Sequence, residues 1–565
     1  MSYDTYTSPL ASRNASKQML ELWSPRHKFN TWRRIWLAVA EAQHELGLPV
    51  TKEQVEELRT VVTRPGGITD DEMKAAEKYE RELRHDVMAH VHALGDSCPK
   101  AKGIIHLGMT SQDVVCNSDL LIISKSIELI ELKISRALLS LGMQAVQWKS
   151  TPTLGFTHYQ PAQPVTVGRR IAGWASELQI VLQETGHDPF LHSRWTGVHR
   201  LRGLRGATGT QASFHSLFSG NDALVDQLEA RVVMRLRDQE DEVQRLFDKE
   251  RVTQRREEEI QFYQRALSDP TQSARHAAHR EGLEVSQRPV EEQISSMAAS
   301  CASDHCWTLS NQTYPRVIDA IVLSRLACTA AVLHKIATDI RLLSNRKELD
   351  EPFESKQIGS SAMPYKRNPM RCERICGLTR FVMNLVGNAY DTAATQWLER
   401  TLDDSSNRRL SLPEAFLALD GALDLMHNVA SGLIVHEAMV RKNLMAELPF
   451  MATENILMAC VKLGGDRQEY HELIRQHAQA AGLRVKQEGL DNDLLERLQA
   501  DKHFWSTKRG GPLREELDWA GVMDPMKYVG RSVEQTQRFI KEVVGPLREQ
   551  YKDQLAALED NAPRV

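Results

Sequence analysis

The chain has 565 residues, 41% of them hydrophobic, which is enough for several domains around a large apolar core. Lysine and arginine number 71 against 75 aspartates and glutamates, and this balanced charge favours no surface for nucleic acid. No apolar run reaches the ~18 residues of a membrane span, no signal peptide is evident, and the eight cysteines are too sparse for a disulfide framework. We therefore expect a cytoplasmic protein that binds neither membrane nor nucleic acid.

The first candidate site segments in chain order are RHDVMAHVH (84–92) and GMTSQD (108–113), two polar stretches that interrupt apolar ones. His85, His90 and His92 lack the i, i+4 spacing that places two imidazoles on one helical face, so a metal site is disfavoured. Arg84 and His85 are compatible with a catalytic or phosphate-facing pair, although a structural role is commoner for a single histidine.

Two long helices are predicted from apolar residues at steps of three and four. The first follows Asp119 and runs for about seven turns to Ala145, and the second runs from Ile318 to Ile340. Helices this long with one narrow apolar stripe have to pack lengthwise in a bundle. Strand-like alternation is hardly seen and no glycine-rich phosphate loop follows an apolar run, so an all-α fold class is expected.

Between these helices, TLGFTHYQPAQP (153–164) has the composition of a rigid turn, because Gly155, Pro161 and Pro164 bracket His158. Histidine exchanges a proton near neutral pH, with an unperturbed pKa of ~6.5, so His158 is a candidate acid or base. This segment alone leaves a catalytic and a structural role about equally supported. Residues 231–260 follow, with 17 charged residues in 30 and a ragged apolar pattern, and predict a solvated helix or a mobile insert.

The last two candidate segments are rich in hydrogen-bond donors. In QIGSSAMPYKRNPMRCE (357–373), Gly359 and two prolines surround Ser360, Lys366 and Asn368, which predicts an anion-binding lid. In ERTLDDSSNRR (399–409), three arginines and two aspartates lie together. This run either binds phosphate or forms a surface salt-bridge network, and composition alone favours the network.

Taken together, the segments resemble those of a known enzyme superfamily. GSSAMPYKRNP is similar to the signature loop of the fumarase/aspartase superfamily, Gly-Ser-x-x-Met-x-x-Lys-x-Asn. TLGFTHYQPAQ, RHDVMAHVH, IIHLGMTS, GATGTQASF, ERTLDDSSNRR and ELPFMATENI are similar to the adenylosuccinate lyase family in particular. The likeness extends over nearly the whole chain except residues 186–200 and 232–301.

The resemblance implies an all-α fold of three domains that assembles into a homotetramer with a twenty-helix core and active sites shared by three subunits. It implies an N-terminal helical domain at 1–111 and a C-terminal helical domain at 436–565. The central helical bundle at 112–435 would contain the signature loop 357–370 and an atypical charged insert at about 232–301.

The reaction implied is a β-elimination of fumarate from purine ribotides, adenylosuccinate and the succinyl-carboxamide ribotide, without cofactor or metal. By residue-by-residue matching, Ser360 is the base and His158 the acid, while His85 supports the acid and Lys366 stabilises the charge that develops on the substrate carboxylate. The resemblance also implies a set of substrate-binding residues: Arg13, Asn14, Arg84, Asp86, Thr110, Ser111, Thr157, Gln312, Ser361, Asn368, Arg374, Arg400, Ser405 and Arg409.

The chain departs from the family pattern near these residues, with Asn14 where tyrosine is usual, Cys116 where aspartate is usual, and Pro315 and Val317 where polar residues are common. Two other functions stay open. One is another carbon–nitrogen lyase of the superfamily, such as argininosuccinate lyase, which would not need the arginine-rich run 399–409 for a phosphate. The other is a catalytically silent scaffold, against which the joint presence of Ser360, His158, His85 and Lys366 argues.

Overall fold

Helices make up most of the computed structural model, which describes residues 4–185, 199–237, 249–268, 275–505 and 516–558. This confirms the all-α class. The N-terminal part begins with a π-helical turn at Leu10–Asn14 and continues with five α-helices. Their bounds are α1 Lys17–Leu22, α2 Pro25–Glu45, α3 Lys52–Val62, α4 Asp70–Leu83 and α5 Asp86–Ser97.

Four long helices form the bundle at the centre of the molecule: α6 Ser111–Gln147, α13 Val317–Asn345, α14 Met370–Ala394 and α15 Asp404–Ser431. α13 packs against α14, α14 against α15, and α15 against α6. The two helices predicted from apolar spacing are therefore confirmed as α6 and α13. A buried ion pair also joins α6 to α15, because Nζ of Lys133 lies 2.5 Å from Asp420 and 2.9 Å from Asp424.

Two segments of the described chain have the length and apolarity of a membrane span, α13 and the pair α16 Glu437–Met451 and α17 Thr453–Lys462, which is bent by 45°. Half of the most apolar stretch of α13 is buried inside the protein. Its neighbours are α7 (Val167–Thr185), α14 and α15. Packing within the bundle accounts for the apolarity of α13.

Residues 152–166 form a β-hairpin, which the sequence pattern did not indicate. Strand β1 (Pro152–Thr157) pairs antiparallel with β2 (Gln160–Thr166), and the register ends at Thr157 opposite Gln160. The two residues between the strands, His158 and Tyr159, both have positive φ angles, 53° and 57°. A second short pair, β3 (Leu349–Asp350) with β4 (Ile434–Val435), completes the strands of the described residues.

The charged segment 232–301 is more integrated than its composition suggests. Its first residues belong to the end of α9 (Asp222–Leu236), which follows α8 (Ala212–Leu217), and Val233 and Leu236 are buried in the main core. Three more helices follow, α10 Lys249–Ser268, α11 His276–Ser286 and α12 Val290–His305, and α12 packs against α9. The solvated helix or mobile insert predicted for residues 231–260 is therefore wrong for the first of them, whose apolar side chains are buried. The predicted insert at 186–200 lies outside the described residues except for 199–200.

The C-terminal part has its own hydrophobic cluster, which extends from Ala452 to Leu517. Its remaining α-helices are α18 Arg467–Leu483, α19 Leu494–Ala500, α20 Trp519–Val522, α21 Ser532–Phe539, α22 Gly545–Gln550 and α23 Lys552–Ala557. π-helical turns at Arg484–Glu488 and Ile540–Val544 and a 3-10 turn at Pro525–Tyr528 join them. Val544 returns to the main core, where it packs against Gly142 of α6.

Candidate active site

A cavity of about 760 Å³ opens where the start of α2, the α4–α5 junction and the N-termini of α6 and α15 meet. Nine of the residues expected in a substrate site line it, although they come from four distant parts of the chain. They are Arg84, His85, Asp86, Thr110, Ser111, Gln312, Arg400, Ser405 and Arg409.

His85 is held at the junction of α4 and α5 by helix capping. Arg84 ends α4 in the left-handed conformation, with φ 55°, and His85 is the N-cap of α5. The Nδ1 atom of His85 accepts a hydrogen bond from the backbone N–H of Met88 at 3.4 Å, which places the imidazole proton on Nε2. Nε2 lies 3.3 Å from Oγ of Ser111, so His85 donates to that hydroxyl.

The N-terminus of α6 brings Thr110 and Ser111 to the cavity. The backbone N–H of Thr110 donates to Oδ2 of Asp113 at 2.7 Å, which is one half of a capping box. Oδ1 of Asp113 accepts from Nη1 of Arg202 at 2.5 Å and from the backbone N–H of Arg205 at 2.8 Å. The positive end of a 37-residue helix therefore points into the cavity, where it favours an anionic ligand.

Arg400 and Arg409 also line the cavity and are oriented by neighbouring side chains. Nη1 of Arg400 donates to Oε1 of Gln312 at 3.1 Å, and Nη2 of Arg409 donates to Oδ2 of Asp86 at 3.0 Å. Gln312 in turn donates to the carbonyl of Ala207 at 2.9 Å. Both guanidinium groups are thus held with donors left over for a ligand.

Several charged lining residues were not anticipated as site residues, among them Lys28, Arg316 and Asp404. Arg316 donates to Oδ2 of Asp404 at 2.7 Å and its guanidinium lies 4.5 Å from the centre of the Tyr314 ring. No local sequence signal marks Arg316 or Lys28, whereas Asp404 falls within the run 399–409 that the sequence singled out.

Arg408, in the same run, is a structural cation and not a ligand clamp. Its Nε donates to Asp319 at 2.6 Å, its Nη1 to Asp119 at 3.1 Å, and its Nη2 to the hydroxyl of Tyr314. The nearby carboxylates raise the pKa of Arg408 well above its ordinary value against the effect of burial. The run 399–409 therefore contains part of a buried ion-pair network, where composition favoured a surface one, together with side chains that face a cavity.

The charge of the cavity walls favours an anionic ligand. Six cationic side chains line it, against the carboxylates of Glu80, Asp86, Asp119 and Asp404. Since His85 adds a hydrogen-bonding imidazole and Ser111 a hydroxyl, the walls combine excess positive charge with directed donors. Such a set can bind carboxylate or phosphate oxygens.

His158 and Thr157 lie elsewhere, at the exposed tip of the β-hairpin, and neither lines this cavity. Positive φ at a residue other than glycine is uncommon, and at His158 and its neighbour it closes a two-residue turn. The turn projects the imidazole away from the body of its own chain.

The signature loop also lies apart from the cavity. Oγ of Ser360 accepts from the backbone N–H of Met363 at 3.1 Å, and Nδ2 of Asn368 donates to the carbonyl of Gly359 at 2.9 Å. Ser361 and Lys366 are exposed. The loop therefore has internal hydrogen bonds and presents its remaining groups outward.

Three more expected binding residues are outside the cavity. Arg13 and Asn14 belong to the N-terminal π-helical turn, where Nδ2 of Asn14 donates to the carbonyl of Pro9 at 2.9 Å, and Arg374 lies in the second turn of α14. One chain thus brings together nine of the eighteen expected residues and leaves the others outside this cavity.

Comparison with known proteins identifies the family. A family model described as "Adenylosuccinate lyase C-terminus" matches residues 449–539, and one described as "Lyase" matches 13–186 and 249–384. An adenylosuccinate lyase of Schizosaccharomyces pombe is 41% identical over 554 residues, which cover 98% of either chain. The chain belongs to the adenylosuccinate lyase family. The enzyme of that name from Saccharomyces cerevisiae is 42% identical, over 96% of this chain and 95% of its own.

Members of this family are carbon–nitrogen lyases.

Solved structures with lower identity agree on the fold. The 3-carboxy-cis,cis-muconate lactonizing enzyme from Pseudomonas putida aligns with a TM-score of 0.66 at 21% identity, over 95% of this chain and 98% of that one. A fumarate lyase from Mesorhizobium sp. BNC1 aligns with a TM-score of 0.66 at 19% identity, over 95% of this chain and 100% of that one.

Proposed function

We propose that this protein catalyses the β-elimination of fumarate from adenylosuccinate, which gives AMP, and from the succinyl-carboxamide ribotide of purine synthesis. The cavity carries the proposal, because it combines an excess of cations, a helix N-terminus and a fixed His85–Ser111 pair. A substrate with a phosphate and two carboxylates would satisfy such walls.

In this mechanism the proton removed lies beside a carboxylate, which accumulates negative charge as the proton leaves. Ser360 accepts the proton, and Lys366 and Asn368 stabilise the carboxylate. His158 protonates the departing aromatic amine as the carbon–nitrogen bond breaks. A serine is a weak base unless donors surround its oxygen, so the signature loop would have to close over the substrate.

The binding roles follow the positions around the cavity. Thr110 and Ser111 would hold a substrate carboxylate at the N-terminus of α6. His85, which is hydrogen-bonded to Ser111, would contact the substrate beside them. Arg400, Ser405 and Arg409 would bind ligand anions, and Gln312 and Asp86 orient the two arginines.

We further propose a cytoplasmic homotetramer with active sites shared between subunits. His158, Ser360 and Lys366 are at surface positions of the chain, away from the cavity that would hold substrate. Only parts of neighbouring copies, or a large movement of these loops, would bring proton-transfer groups to the cavity. Apolar side chains exposed on the bundle, such as Phe381 at 40% and Leu410 at 67% exposure, are suited to contact another copy.

The direct test is to incubate the purified protein with adenylosuccinate and follow the formation of AMP and fumarate. Turnover is expected for adenylosuccinate and for the succinyl-carboxamide ribotide, and none for argininosuccinate. A folded tetramer without turnover would contradict the proposal and favour a silent scaffold.

Sharing of the site is tested by mixing two inactive variants, His85→Gln and Ser360→Ala. If one site takes His85 and Ser360 from different subunits, mixed tetramers contain some sites with both native residues and regain activity. If each site is built from one chain, no mixture regains activity.

A further inference from the structure

Lys28 lines the cavity from the first turns of α2. This helix begins at a defined residue, because Oγ of Ser24 accepts from the backbone N–H of His27 at 3.2 Å and Pro25 occupies the first position. The Lys28 side chain lies over two aromatic rings, with Nζ 4.9 Å from the centre of the Trp32 ring and 5.4 Å from that of Phe29. Its position is therefore fixed by capping and by cation–π contacts.

The ammonium of Lys28 has no close counter-ion within the part of the chain that the structure describes: no carboxylate oxygen lies within 4.0 Å of Nζ and no hydrogen bond is made. The other half-buried or buried cations of the cavity do have such partners. Arg316 lies 2.7 Å from Asp404, and Arg400 lies 3.8 Å from the same carboxylate. A cation held on aromatic faces without an ion-pair partner has donors free for a ligand.

Charged groups of both signs surround Lys28. Burial and the positive charge of Arg409 lower the pKa of Lys28, while Asp119, Asp86 and Glu80 act in the opposite direction. Asp86 is already engaged by Arg409 at 3.0 Å.

His90, whose ring stacks on Phe29 at 3.7 Å, contributes no charge near neutral pH, because burial and adjacent cations lower its pKa to about 4. Of the carboxylates near Lys28, Asp86 is paired with Arg409 and Asp119 with Arg408, so neither is an ion-pair partner of Lys28.

We propose that Lys28 is a substrate-binding residue whose ammonium binds an oxyanion of the ribotide substrate in this cavity, alongside Arg409. The inference rests on the proposed function and extends it to a residue outside the set expected from the family motifs. Phosphate and carboxylate oxygens offer the same chemistry to an ammonium, so the test has to separate the two ends of the substrate.

The test compares Lys28→Gln and Lys28→Arg with Lys74→Gln, whose lysine makes only an exposed ion pair with Asp71 at 3.3 Å. Loss of a charge-assisted hydrogen bond should raise KM for adenylosuccinate about 10- to 100-fold in Lys28→Gln, with kcat changed much less. Lys28→Arg should recover part of the loss, and Lys74→Gln should match the native enzyme.

Product inhibition identifies the end of the substrate that Lys28 binds. Weaker inhibition by AMP with unchanged inhibition by fumarate assigns the phosphate, and the reverse assigns a carboxylate. If folded Lys28→Gln has the KM and the product inhibition of the native enzyme, the proposal is overturned. A variant whose melting temperature is lowered while KM and inhibition are unchanged would overturn it as well.

A measurement on the native protein covers the case in which Lys28→Gln fails to fold. Acetylation of lysines by a small reagent, mapped by mass spectrometry, should be slowed at Lys28 by AMP or by fumarate and remain unchanged at Lys74. Equal acetylation of Lys28 with and without either ligand would overturn the proposal. This readout needs no turnover, so an inactive protein that still protects Lys28 contradicts the proposed function alone.

Discussion

Replacement of Asp113 by asparagine should destabilise the N-terminus of α6 and, with it, one wall of the cavity. Both Asp113 and its partner Arg202 have side chains with 0% exposure, and the distance between them is 2.5 Å. Removal of one member of a buried ion pair typically costs about 3–5 kcal/mol, because the remaining charge is left without compensation. The amide of asparagine has one oxygen and one NH₂ group. In either orientation the NH₂ group would face a backbone N–H, that of Thr110 or that of Arg205, so two donors would oppose each other.

A matched control is Asp71→Asn. Asp71 also lies in the first turn of a helix, α4, but its side chain is 94% exposed and its ion pair with Lys74 measures 3.3 Å. The helix-dipole contribution is similar at the two positions, so the difference between the variants isolates the buried pair. We expect a loss of less than about 1 kcal/mol for Asp71→Asn.

The measurement is unfolding in urea, followed by helical circular dichroism, together with KM for adenylosuccinate. Asp113→Asn should lose about 3–5 kcal/mol in free energy of unfolding and show a raised KM, because Thr110 and Ser111 are no longer fixed. Equal stability of the two variants would refute the argument about the buried pair. A destabilised Asp113→Asn with native KM would refute the positioning of Thr110 and Ser111.

Three shorter predictions concern single side chains. Ser360→Ala should keep the native melting temperature and reduce kcat by orders of magnitude, which near-native turnover would contradict. His158→Gln should lower kcat and leave KM nearly unchanged, whereas a change in KM alone would make His158 a binding residue. Burial raises the pKa of Glu131 to about 8, so folded-state stability should fall by up to about 1.4 kcal/mol per unit as pH rises from 4.5 to 8. Glu131→Gln should flatten that slope, and an unchanged urea midpoint profile from pH 4.5 to 8 would contradict this assignment.

Long helices could be predicted from the sequence because one physical requirement, burial of an apolar stripe, repeats over many turns. The stripe from Leu120 to Ala145 lies within α6, but the helix itself extends beyond both ends of the stripe. The first residue of the helix is determined by the capping box at Thr110, which apolar spacing does not reveal. The end of α9 escaped the same reasoning because the charged Arg235 lies between the buried Val233 and Leu236, and its guanidinium pairs with Glu41 and Glu45.

The β-hairpin was missed for a local reason. Pro161 and Pro164 lie in β2, where proline is tolerated because the strand pairs with β1 alone. The turn carries His158 and Tyr159 at positions where glycine or asparagine would have been a recognisable signal. Strain of this kind is characteristic of functional sites, which agrees with the role proposed for His158.

The candidate site was only partly predictable, because the residues of the cavity come from segments hundreds of positions apart. Motif resemblance named His85, Ser111 and Arg409 without showing that they meet, and only the fold places them around one cavity. Lys28 and Arg316 stand in ordinary amphipathic sequence, where a charged residue is typical of a solvated face. Their placement at the cavity depends on the packing of α2 and on the loop before α13, which local sequence does not encode.

The expected residues divide by how firmly the chain holds them. Those at the cavity are fixed by caps and ion pairs, as His85 and Thr110 are by helix N-termini, whereas Ser360 and His158 lie on exposed loops with few contacts. Binding groups gain from a fixed position before the substrate arrives. A serine base gains instead from a loop that encloses it only when substrate is present, since water would otherwise compete for its donors. The structure of a single chain thus fits the two proposed sets of roles. Rigid elements bind the ribotide, and exposed loops from the same or a neighbouring subunit carry out the proton transfers.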